Sequence, residues 1–346
     1  MTAAHFAHDV IAWQGAHGRH DLPWQNTRDA YAIWVSEVML QQTQVATVVP
    51  YYRRFMARFP DVAALAAAPL DDVFSHWSGL GYYSRARNMH RAAQLIRDQH
   101  SGRFPNRLDD VAGLPGIGRS TAAAIVVFAY GARHAILDGN VKRVLARIGG
   151  IAGYPGAKHV ADELWRTAER LLPQRGLETY TQGLMDLGAT VCLRSTPRCG
   201  SCPVTMHCVA RREGRTHTLP SPRPRKALPH RKTVMLILEH GGALLLEKRP
   251  APGIWGGLWC FPEASADDDI ATACIQRFGA SVGAMQRLPD LEHGFTHFSL
   301  TITPQRLEVR ALQPRAAESD YQWLPIEQMQ AAPVPAPVKR ILALLR

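Results

Sequence analysis

The sequence contains no apolar run long enough to cross a bilayer. The longest strongly apolar segment, TAAAIVVFAY at residues 121–130, falls well short of the roughly 20 residues that a membrane-spanning helix needs. Residues 1–20 contain four His residues, one Asp and no continuous apolar core, which argues against a secretory signal. We therefore expect no membrane partner and a cytoplasmic location.

Acidic residues are scarcer than basic ones. The chain has 29 Asp and Glu against 40 Lys and Arg, which gives a formal net charge of +11 and a pI near 9.7. This balance favours a polyanionic partner such as nucleic acid, although charge alone is weak support. With 46% apolar and 20% charged residues, the 346 residues are enough for two or three globular cores.

Cysteine is also scarce, and four of the six cysteines lie within one segment, Cys192-x6-Cys199-x2-Cys202-x5-Cys208. In a reducing compartment such clustering favours a metal site over disulfides. Four thiolates can enclose an iron–sulfur cubane or a zinc ion. Zinc sites usually have two C-x-x-C pairs and this segment has one, but the spacing alone leaves cluster, zinc and unligated thiols open. The other two cysteines are predicted to be ordinary buried residues.

Residues 5–210 show apolar residues three and four apart, interrupted by Pro and Gly, which predicts helices. The first long helical segment is predicted to begin at a cap on Thr27 or Asp29 and to break at Pro50. Further helices are predicted over residues 71–77, 83–100, 119–131, 138–149, 158–171 and 176–189. No strand-like alternation interrupts them, so the region is predicted to be all-α.

The composition changes after residue 210. Residues 211–232 are rich in Pro and basic residues and poor in apolar ones, which predicts an extended linker. The following segment, TVMLILEHGGALLLEKR, predicts two strands joined by a hairpin at Gly241 and Gly242. HFSLTITPQRLEVRAL alternates as further strands, and residues 267–278 and 334–346 are predicted to be helical. A small α+β domain therefore follows the linker.

The stretch from residue 112 to 143, AGLPGIGRSTAAAIVVFAYGARHAILDGNVKR, has no lysine between its first glycines and Asp138. Gly116 and Gly118 allow a tight turn that approaches a ligand closely, and the N–H groups of the next helix can hold a phosphate. A purely structural turn is the alternative. Asp138 stands where an N-cap is expected, and the same carboxylate could stabilise a developing positive charge.

Glu37 lies in the segment WVSEVMLQQTQV, where most of its neighbours are apolar. Apolar surroundings raise the pKa of a carboxyl, so that it stays protonated near neutral pH and can serve as a general acid. Composition alone leaves a second interpretation open, in which Glu37 is a solvated position on a helix.

These motifs together resemble the MutY adenine DNA glycosylases. The segment around Glu37 matches the family's S-E-x-M-L-Q-Q-T signature almost letter for letter, and the cysteine spacing resembles the 4Fe-4S loop of the endonuclease III superfamily. The resemblance extends over nearly the whole chain, through LPWQ (22–25), GLGYYSRARN (79–88), LPGIGRSTA (114–122), LDGNVKRVLAR (137–147), QGLMDLGATVC (182–192) and IWGGLWCFP (254–262).

The resemblance implies catalytic roles for four residues. Glu37 would protonate adenine at N7 and later assist water, Asp138 would stabilise the sugar cation or its covalent adduct, and Asn140 would orient nearby groups. Ser120 stands where bifunctional relatives that cut oxidised pyrimidines carry a lysine that forms a Schiff base. Because serine cannot form that imine, we expect base removal that leaves an abasic site.

The resemblance also implies contacts with DNA and with a cofactor. Gln42 and Tyr82 take positions where the family wedges side chains into the base stack around an extruded adenine, with core packing as the alternative for Tyr82. The other predicted DNA-binding residues are Trp24, Gln41, Thr43, Leu80, Arg85, Gly116 and Gly118. The predicted ligands of a 4Fe-4S cluster are Cys192, Cys199, Cys202 and Cys208.

The C-terminal region resembles the Nudix-like domain that recognises 8-oxoguanine in this family, partly through a Phe-Ser-His loop. The corresponding residues are Phe295, Thr296 and His297, and threonine keeps the hydroxyl while adding a methyl group. A surface role in a strand turn is the alternative for His297. Residues 265–280 lack the Glu-rich magnesium helix of Nudix hydrolases, so we expect no pyrophosphohydrolase activity. The basic linker is predicted either to follow the phosphate backbone or to be a solvated tether.

The predicted architecture is multidomain, with an all-α helix-hairpin-helix glycosylase region carrying a 4Fe-4S loop, followed by an α+β Nudix-like domain. The predicted parts are the helical region at 1–212, the linker at 213–230 and the Nudix-like domain at 231–346. Within the helical region, a six-helix barrel part covers about 23–133, and an iron–sulfur part combines 1–22 with 134–212.

The predicted function is excision of adenine paired with 8-oxoguanine or guanine in duplex DNA, by a monomeric, nucleoid-associated enzyme. Two rival functions remain. A bifunctional glycosylase and lyase acting on oxidised pyrimidines is opposed by Ser120. A non-catalytic iron–sulfur DNA sensor is opposed by Glu37 together with Asp138.

Overall fold

The computed structural model describes residues 2–224, 227–251, 253–265, 267–313, 320–330 and 332–345. The chain divides into two compact units, the first made of Met1–Ala68 with Ser84–Arg225 and the second of Pro69–Tyr83 with Lys226–Arg346. Residues 69–83, which the sequence places in the helical region, thus group with the second unit.

The described residues of the first unit form helices joined by loops. They are α1 Ala3–His17, α2 Ala30–Leu40, α3 Val45–Arg58, α4 Val62–Ala67, α6 Ser84–Gln99, α7 Leu108–Ala112, α8 Arg119–Tyr130, α9 Gly139–Gly149, α10 Lys158–Leu171, α11 Leu177–Asp186 and α12 Val209–Arg212, while α5 Leu70–Trp77 belongs to the second unit. A π-helical segment, Leu187–Val191, extends α11, and short 3-10 turns cover Cys199–Ser201 and Thr205–His207. The predicted all-α character is confirmed. No helix in the described parts of the chain is long and apolar enough to span a bilayer.

The predicted helix break at Pro50 is wrong. Pro50 lies inside α3, and the chain breaks earlier, between the end of α2 at Leu40 and the start of α3 at Val45. The break occurs because Gln42 has a left-handed backbone with φ of 58°, and because the guanidinium of Arg85 donates to the last carbonyl groups of α2. The predicted cap at Asp29 is confirmed, since its carboxylate accepts a hydrogen bond from the Tyr31 backbone N–H.

A buried apolar core joins α1 to the helices that follow the glycine hairpin. Phe6 and Val10 of α1 pack in one cluster with residues of α8, α9, α10 and α11, such as Val144 and Leu164. Ala and Val residues dominate the buried face of α8, and their small side chains allow close helix packing. This core fixes the start of α9, where Asp138 stands, relative to α11 and the cysteine segment.

The predicted extended linker is partly wrong, because its first half packs on the helical unit. Leu219 is buried, and its carbonyl accepts a hydrogen bond from Arg147. The Ser221 backbone N–H donates to the Gly153 carbonyl, and the Gly153 N–H donates to the Ser221 hydroxyl. Backbone hydrogen bonds and one buried leucine thus hold residues that composition alone predicted to be solvated.

The second unit contains a sheet of eight strands and two further helices. The elements are β1 His230–His240, β2 Ala243–Lys248, β3 Trp259–Cys260, β4 Glu263–Ala264, α13 Ile270–Phe278, β5 Ala280–Arg287, β6 Leu291–Gly294, β7 Ser299–Leu312, β8 Tyr321–Pro325 and α14 Ala336–Leu344. The main strand order is β3-β2-β1-β7-β5, with β4 on β1, β6 on β7 and β8 on β2. Strands β1 and β7 run parallel, and the other pairs are antiparallel.

Alternation along β1 explains why both faces of the sheet are covered. Met235 and Ile237 pack in a cluster with residues of α14, whereas Leu236 and Leu238 pack in another with residues of α13. Successive side chains of a strand point to opposite faces, so one apolar strand serves both cores. The predicted hairpin is confirmed: Gly241 and Gly242 have φ of 56° and 79°, as a two-residue turn of type I′ requires.

Candidate active site

Glu37 lies on α2 in the wall of a cavity of about 710 Å³ within the first unit. Burial raises the pKa of its carboxyl to about 8, with the nearby charge of Asp138 as the second cause. Two apolar side chains of the same helix, Ile33 and Leu40, share the cavity wall. Glu37 is half-buried, which favours its interpretation as a general acid over that of a fully solvated helix position.

Asp138 is the N-cap of α9. Its carboxylate oxygen Oδ1 accepts a hydrogen bond from the Val141 backbone N–H at 2.7 Å, as a capping aspartate does. Burial raises the pKa of Asp138, while backbone N–H groups of Val141 and Asn140 and the charge of Arg143 act in the opposite direction. Asp138 is not among the described residues that line the cavity, and it acts on the site through its charge close to Glu37.

The two carboxyl groups differ in what surrounds them. Asp138 has hydrogen-bond donors and a nearby guanidinium that favour its charged form, whereas Glu37 is shifted only by burial and by the negative charge of Asp138. Two close carboxyl groups cannot both ionise easily, and the charge of Asp138 raises the pKa of Glu37. The arrangement therefore favours a protonated Glu37 near neutral pH, while backbone N–H groups and Arg143 act against the effect of burial on the pKa of Asp138.

The raised pKa of Glu37 predicts a stability that depends on pH. The folded protein keeps a proton that the unfolded chain releases above its ordinary pKa of 4.5, so Glu37 lowers the free energy of unfolding as pH rises from about 4.5 to about 8. We expect Glu37→Gln to be more stable than the wild type at pH 8 and equal to it at pH 4. Urea unfolding at both values measures this, with exposed Glu163→Gln on α10 as the control. If the free energies of unfolding of Glu37→Gln and the wild type differed by the same amount at both pH values, the raised pKa of Glu37 would be contradicted.

Asn140 is held by a chain of contacts that leads to the cysteine segment. The Arg143 Nη2 donates to the Asn140 side-chain oxygen at 2.8 Å and to the Gly188 carbonyl at 2.7 Å, and Arg143 Nε donates to the Cys192 carbonyl at 2.7 Å. A Cβ on Gly188 would lie 2.5 Å from the Asn140 Cβ, so only glycine allows this approach. The orientation of Asn140 thus depends on the fold of the residues around Cys192.

Three polar residues of the cavity region were not singled out from the sequence. Asp186 is fully buried and accepts hydrogen bonds from the Arg19 backbone N–H at 2.9 Å, from Arg19 Nε at 2.7 Å and from Gln182 Nε2 at 2.9 Å. Arg19 and Gln182 both line the cavity that holds Glu37. The signal that could have found them is the i, i+4 pair of polar residues on a helix whose other faces are apolar.

The glycine hairpin joins α7 to α8 as predicted. Gly116 has φ of 80°, and a Cβ there would lie 2.8 Å from the Asn88 Cβ, so the turn requires glycine. Gly118 is the N-cap of α8, where the structure describes no side-chain cap, so the first N–H groups of α8 are open to a ligand.

Ser120 has a positioning role in the structure. Its hydroxyl oxygen accepts a hydrogen bond from the Leu137 backbone N–H at 2.9 Å, and Leu137 directly precedes Asp138. The serine therefore ties the start of α8 to the residue that precedes the Asp138 cap. This contact explains a serine at the position without giving it a chemical step.

Arg85 has a structural role that corrects its prediction as a DNA-contacting residue. Only 8% of it is exposed, and its Nη1 donates to the carbonyl groups of Val38, Met39 and Gln41, while Nη2 donates to the Thr43 hydroxyl. Arg85 thus satisfies carbonyl groups at the C-terminal end of α2. Prediction from the sequence could not distinguish this buried arginine from one that binds phosphate.

The loop after α2 holds three of the predicted DNA-binding residues. Gln41 and Thr43 are half-buried, and Gln41 Nε2 donates to the Thr121 hydroxyl at 3.5 Å. Gln42 is exposed, and its φ of 58° is uncommon for a residue other than glycine. Such strain is typically found at functional positions, because the surrounding structure must hold it.

Tyr82, like Gln42, is exposed and has a positive φ. It is 47% exposed and has φ of 49°, in a loop where Gly79 and Gly81 also have positive φ. The structure thus excludes core packing as the role of Tyr82. Leu80, in contrast, is only 6% exposed, so its predicted contact with DNA is not supported and packing accounts for it.

Trp24 is buried and lines the Glu37 cavity instead of an outer surface. Its ring meets the Tyr52 ring edge-on, with centroids 5.3 Å apart. An aromatic wall next to a proton donor suits a flat, aromatic substrate group.

The four clustered cysteines line one cavity, together with Arg147 of α9. None of the four forms a disulfide; burial raises the pKa of Cys202 to about 11 and also raises the pKa of Cys208, and the neighbouring cysteines add to both shifts. In the described parts of the chain, no three His, Cys, Asp or Glu side chains are arranged to hold a single metal ion. The thiol groups of the four cysteines thus share one cavity, and four cysteine ligands fit an iron–sulfur cluster or a zinc ion.

The predicted base-recognition loop lies between β6 and β7. The Phe295 ring stacks on the Phe298 ring, with centroids 4.3 Å apart and planes 17° apart, and Trp255 packs against Phe295 at 5.5 Å. Thr296 and His297 are exposed at the tip of the turn. In this loop, the ring of Phe295 is therefore supported by other aromatic side chains, and the polar side chains of Thr296 and His297 lie at the surface, where a ligand can reach them.

Two family models match the chain. Residues 35–170 match the HhH-GPD superfamily of base excision DNA repair proteins, and residues 233–344 match the NUDIX domain. Both matches agree with the predicted fold class.

Relatives match over the full length of the chain. The adenine DNA glycosylase of Buchnera aphidicola subsp. Acyrthosiphon pisum is 35% identical over 99% of this chain and 98% of its own length. The adenine DNA glycosylase of Homo sapiens is 33% identical over 97% of this chain and 73% of its own length. The solved structure of a thermostable thymine-DNA glycosylase is 27% identical, with a TM-score of 0.56 over 61% of this chain and 97% of that chain.

Proposed function

The chain belongs to the adenine DNA glycosylase family, and on that premise we propose that it excises adenine paired with 8-oxoguanine or guanine in duplex DNA. The observation that carries the proposal is Glu37 in the wall of a cavity, with its pKa raised to about 8 by burial and by the nearby charge of Asp138. A glycosylase that breaks an adenine bond needs both an acid for the base and a negative charge for the sugar.

Glu37 serves as the general acid. Adenine is a poor leaving group unless a ring nitrogen is protonated, so Glu37 donates its proton to N7 as the bond from N9 to the sugar breaks. The deprotonated carboxylate then accepts a proton from the attacking water. Arg19, Trp24 and Gln182 line the cavity that receives the extruded adenine, and the extrusion costs a few kcal/mol of unstacking.

Asp138 stabilises the positive charge that develops on the deoxyribose. A carboxylate held by a helix start is preorganised, so little reorganisation is needed when the charge appears. Asn140, oriented by Arg143, completes this side of the site. Ser120 remains without a chemical step, and water is the final nucleophile.

A direct experiment separates this function from that of a lyase. A duplex with adenine opposite 8-oxoguanine should release free adenine and leave an intact strand, which breaks only on heating in alkali. Sodium borohydride should trap no covalent complex through residue 120, because Ser120 offers no amine. Borohydride trapping together with strand cleavage would establish the bifunctional alternative, and absence of adenine release would favour the non-catalytic sensor.

The start of α8 at Gly118 and the positive φ of Gln42 and Tyr82 support the proposed binding of DNA. Open N–H groups at the start of α8 suit a phosphate of the strand. Gln42 and Tyr82, both exposed with positive φ, serve as wedges that fill the gap left by the extruded base.

The loop of Phe295, Thr296 and His297 reads the base opposite adenine. In the described sequence of α13 there is no acidic residue, so we do not assign pyrophosphohydrolase activity to the second unit. The parts of the chain are proposed as a helical region at 1–212, a linker at 213–230 and a Nudix-like domain at 231–346, in a monomeric enzyme of the nucleoid.

Loss of the aromatic support should reduce selectivity for 8-oxoguanine. We expect Phe295→Ala to lower the ratio of adenine release opposite 8-oxoguanine over guanine by about fivefold, since an aromatic contact contributes about 1 kcal/mol. Single-turnover rates on the two duplexes give the ratio. Met285→Ala, an exposed apolar truncation on β5, should leave it unchanged. A ratio equal to that of the wild type would remove Phe295 from base recognition.

The four cysteines fit a 4Fe-4S cluster, which when bound would hold the loop of residues 192–208 in its fold. Arg147, beside Cys192 Sγ at 3.3 Å, supports thiolate charge there. We expect about four iron and about four acid-labile sulfide per chain. Cys202→Ser should lower both contents, whereas Cys274→Ser on α13 should not. Zinc as the bound metal would contradict the assignment.

A further inference from the structure

Arg147 is a buried arginine, with 2% exposed, whose guanidinium contacts two different segments of the first unit. Nη1 donates to the Leu193 carbonyl at 2.6 Å and to Cys192 Sγ at 3.3 Å, and Nη2 donates to the Arg194 carbonyl at 2.9 Å. Nε donates to the Leu219 carbonyl at 2.8 Å. One side chain thus joins the cysteine segment to the linker that follows it.

The linker has further contacts at the same place. Arg215 Nη2 donates to the Gly150 carbonyl at 3.3 Å, and Thr216 lines the cavity that the four cysteines share. The Leu219 side chain is buried, and Ser221 exchanges hydrogen bonds with Gly153. Residues 215–221 therefore pack on the helical unit beside the cysteine cavity, to which Thr216 contributes, instead of extending freely.

The contact of Arg147 with the linker depends on its contacts with the cysteine segment. A buried guanidinium is stable only while its N–H groups have acceptors, and leaving such groups unpaired costs a large free energy. If the cysteine segment loses its fold, Arg147 loses three of its four acceptors. Burial of the Arg147 guanidinium then becomes unfavourable, and when the side chain leaves its site, its hydrogen bond to the Leu219 carbonyl is lost.

We propose that Arg147 is a positioning residue that anchors the linker to the cysteine segment, so that the fold of this segment sets the free length between the helical unit and the Nudix-like domain. The effect on catalysis rests on the proposed function, in which that domain reads the base opposite adenine. Residues 69–83 also join the second unit to the helical unit through the chain, so the linker is one of several connections that act on how often the domain meets the bound duplex.

The expected effect follows from chain lengths. With the anchor in place, residues 222–229 separate Ser221 from the start of β1; without it, residues 213–229 separate the end of α12 from β1. The free length about doubles, and effective concentration falls roughly as its −3/2 power, which gives a decrease of at most about threefold, because residues 69–83 provide further chain connections.

Limited trypsin digestion of the full-length protein tests the anchor. The bond between Arg215 and Thr216 lies in the anchored segment, and its cleavage requires local release. We expect cleavage at least about tenfold faster in Arg147→Met, in Leu219→Ser and in wild type treated with an iron chelator. The matched control is Arg133→Met, which removes a guanidinium that donates to the Leu172 and Pro173 carbonyls. Equal rates in the wild type and in a folded Leu219→Ser variant would overturn the anchor.

A second measurement separates positioning from general destabilisation. Leu219→Ser leaves the Arg147 contacts with Cys192, Leu193 and Arg194 in place, so the rate of adenine release at saturating enzyme should equal that of the wild type. The apparent Kd for the duplex with 8-oxoguanine should rise by at most about threefold, while the Kd for the duplex with guanine changes less.

The outcomes are distinguishable. Faster trypsin cleavage with an unchanged Kd would overturn the role of Arg147 in positioning the Nudix-like domain. A wild type with no preference for 8-oxoguanine would overturn the proposed function of that domain, and the trypsin result would still decide whether Arg147 anchors the linker.

Discussion

Glu37→Gln should slow adenine release under single-turnover conditions by about 10²- to 10⁴-fold, the range that a general acid contributes. Glutamine has nearly the same shape as glutamic acid, so the cavity and the binding of DNA should persist, and the proton donor alone is lost. The Kd for a duplex with adenine opposite 8-oxoguanine should stay within about twofold of the wild-type value. Quenched-flow kinetics and a titration of labelled duplex measure the two quantities.

The pH dependence of the wild-type rate provides an internal check. Because burial and the charge of Asp138 raise the pKa of Glu37 to about 8, the acid is protonated at neutral pH and loses its proton above it. We expect the single-turnover rate to fall as pH rises through about 8 and the remaining activity of Glu37→Gln to lack this step. A Glu37→Gln variant as fast as the wild type would show that Glu37 is not the proton donor.

Asp138→Asn should reduce the rate by about 10²- to 10³-fold with little change in stability. Asparagine still caps a helix, so the hydrogen bond from the Val141 N–H can persist while the negative charge beside the sugar is lost. Asp138→Ala loses both, and we expect an additional cost of about 1 kcal/mol in the free energy of unfolding. Single-turnover kinetics and urea unfolding of the two variants separate charge from cap.

The comparison between these two variants decides the role of Asp138. If Asp138 were a structural cap alone, Asp138→Asn would be as active as the wild type, and Asp138→Ala would lose activity only in proportion to its loss of stability. A large loss in Asp138→Asn with an unchanged free energy of unfolding requires the charge itself.

Much of the fold follows from local patterns in the sequence. The periodicity of α8 to α11 and the Gly241–Gly242 turn depend on short-range physics, so their positions could be predicted within a few residues. The predictions for α13 and α14 also hold, since each is a short apolar segment between turn residues.

The errors occur where a distant residue decides the local structure. Pro50 is accommodated inside α3, and the real break is set by Arg85, which caps the end of α2 from another helix. The linker composition hides the anchor at Leu219, because that anchor depends on Arg147, some seventy residues earlier in the chain. Local sequence carries no information on partners so far away.

In the candidate site, too, features set by neighbouring residues could be predicted, and features set by distant residues could not. The capping position of Asp138 could be inferred from the residues around it, whereas the burial of Glu37 depends on tertiary packing and was one of two interpretations. Asp186 was missed, since its role is to hold Arg19 and Gln182 at the cavity wall; the contact with Gln182 leaves only an i, i+4 pair in the sequence, and the contact with Arg19 leaves no local pattern.

The most direct test of the account is a single-turnover assay of the full-length protein on four duplexes, in which free adenine is quantified by chromatography. Adenine should be released from duplexes with adenine opposite 8-oxoguanine and, more slowly, opposite guanine. No base should be released from adenine opposite thymine or from cytosine opposite 8-oxoguanine. Release of no adenine from the first two duplexes, or equal release from adenine opposite thymine, would contradict the proposed function.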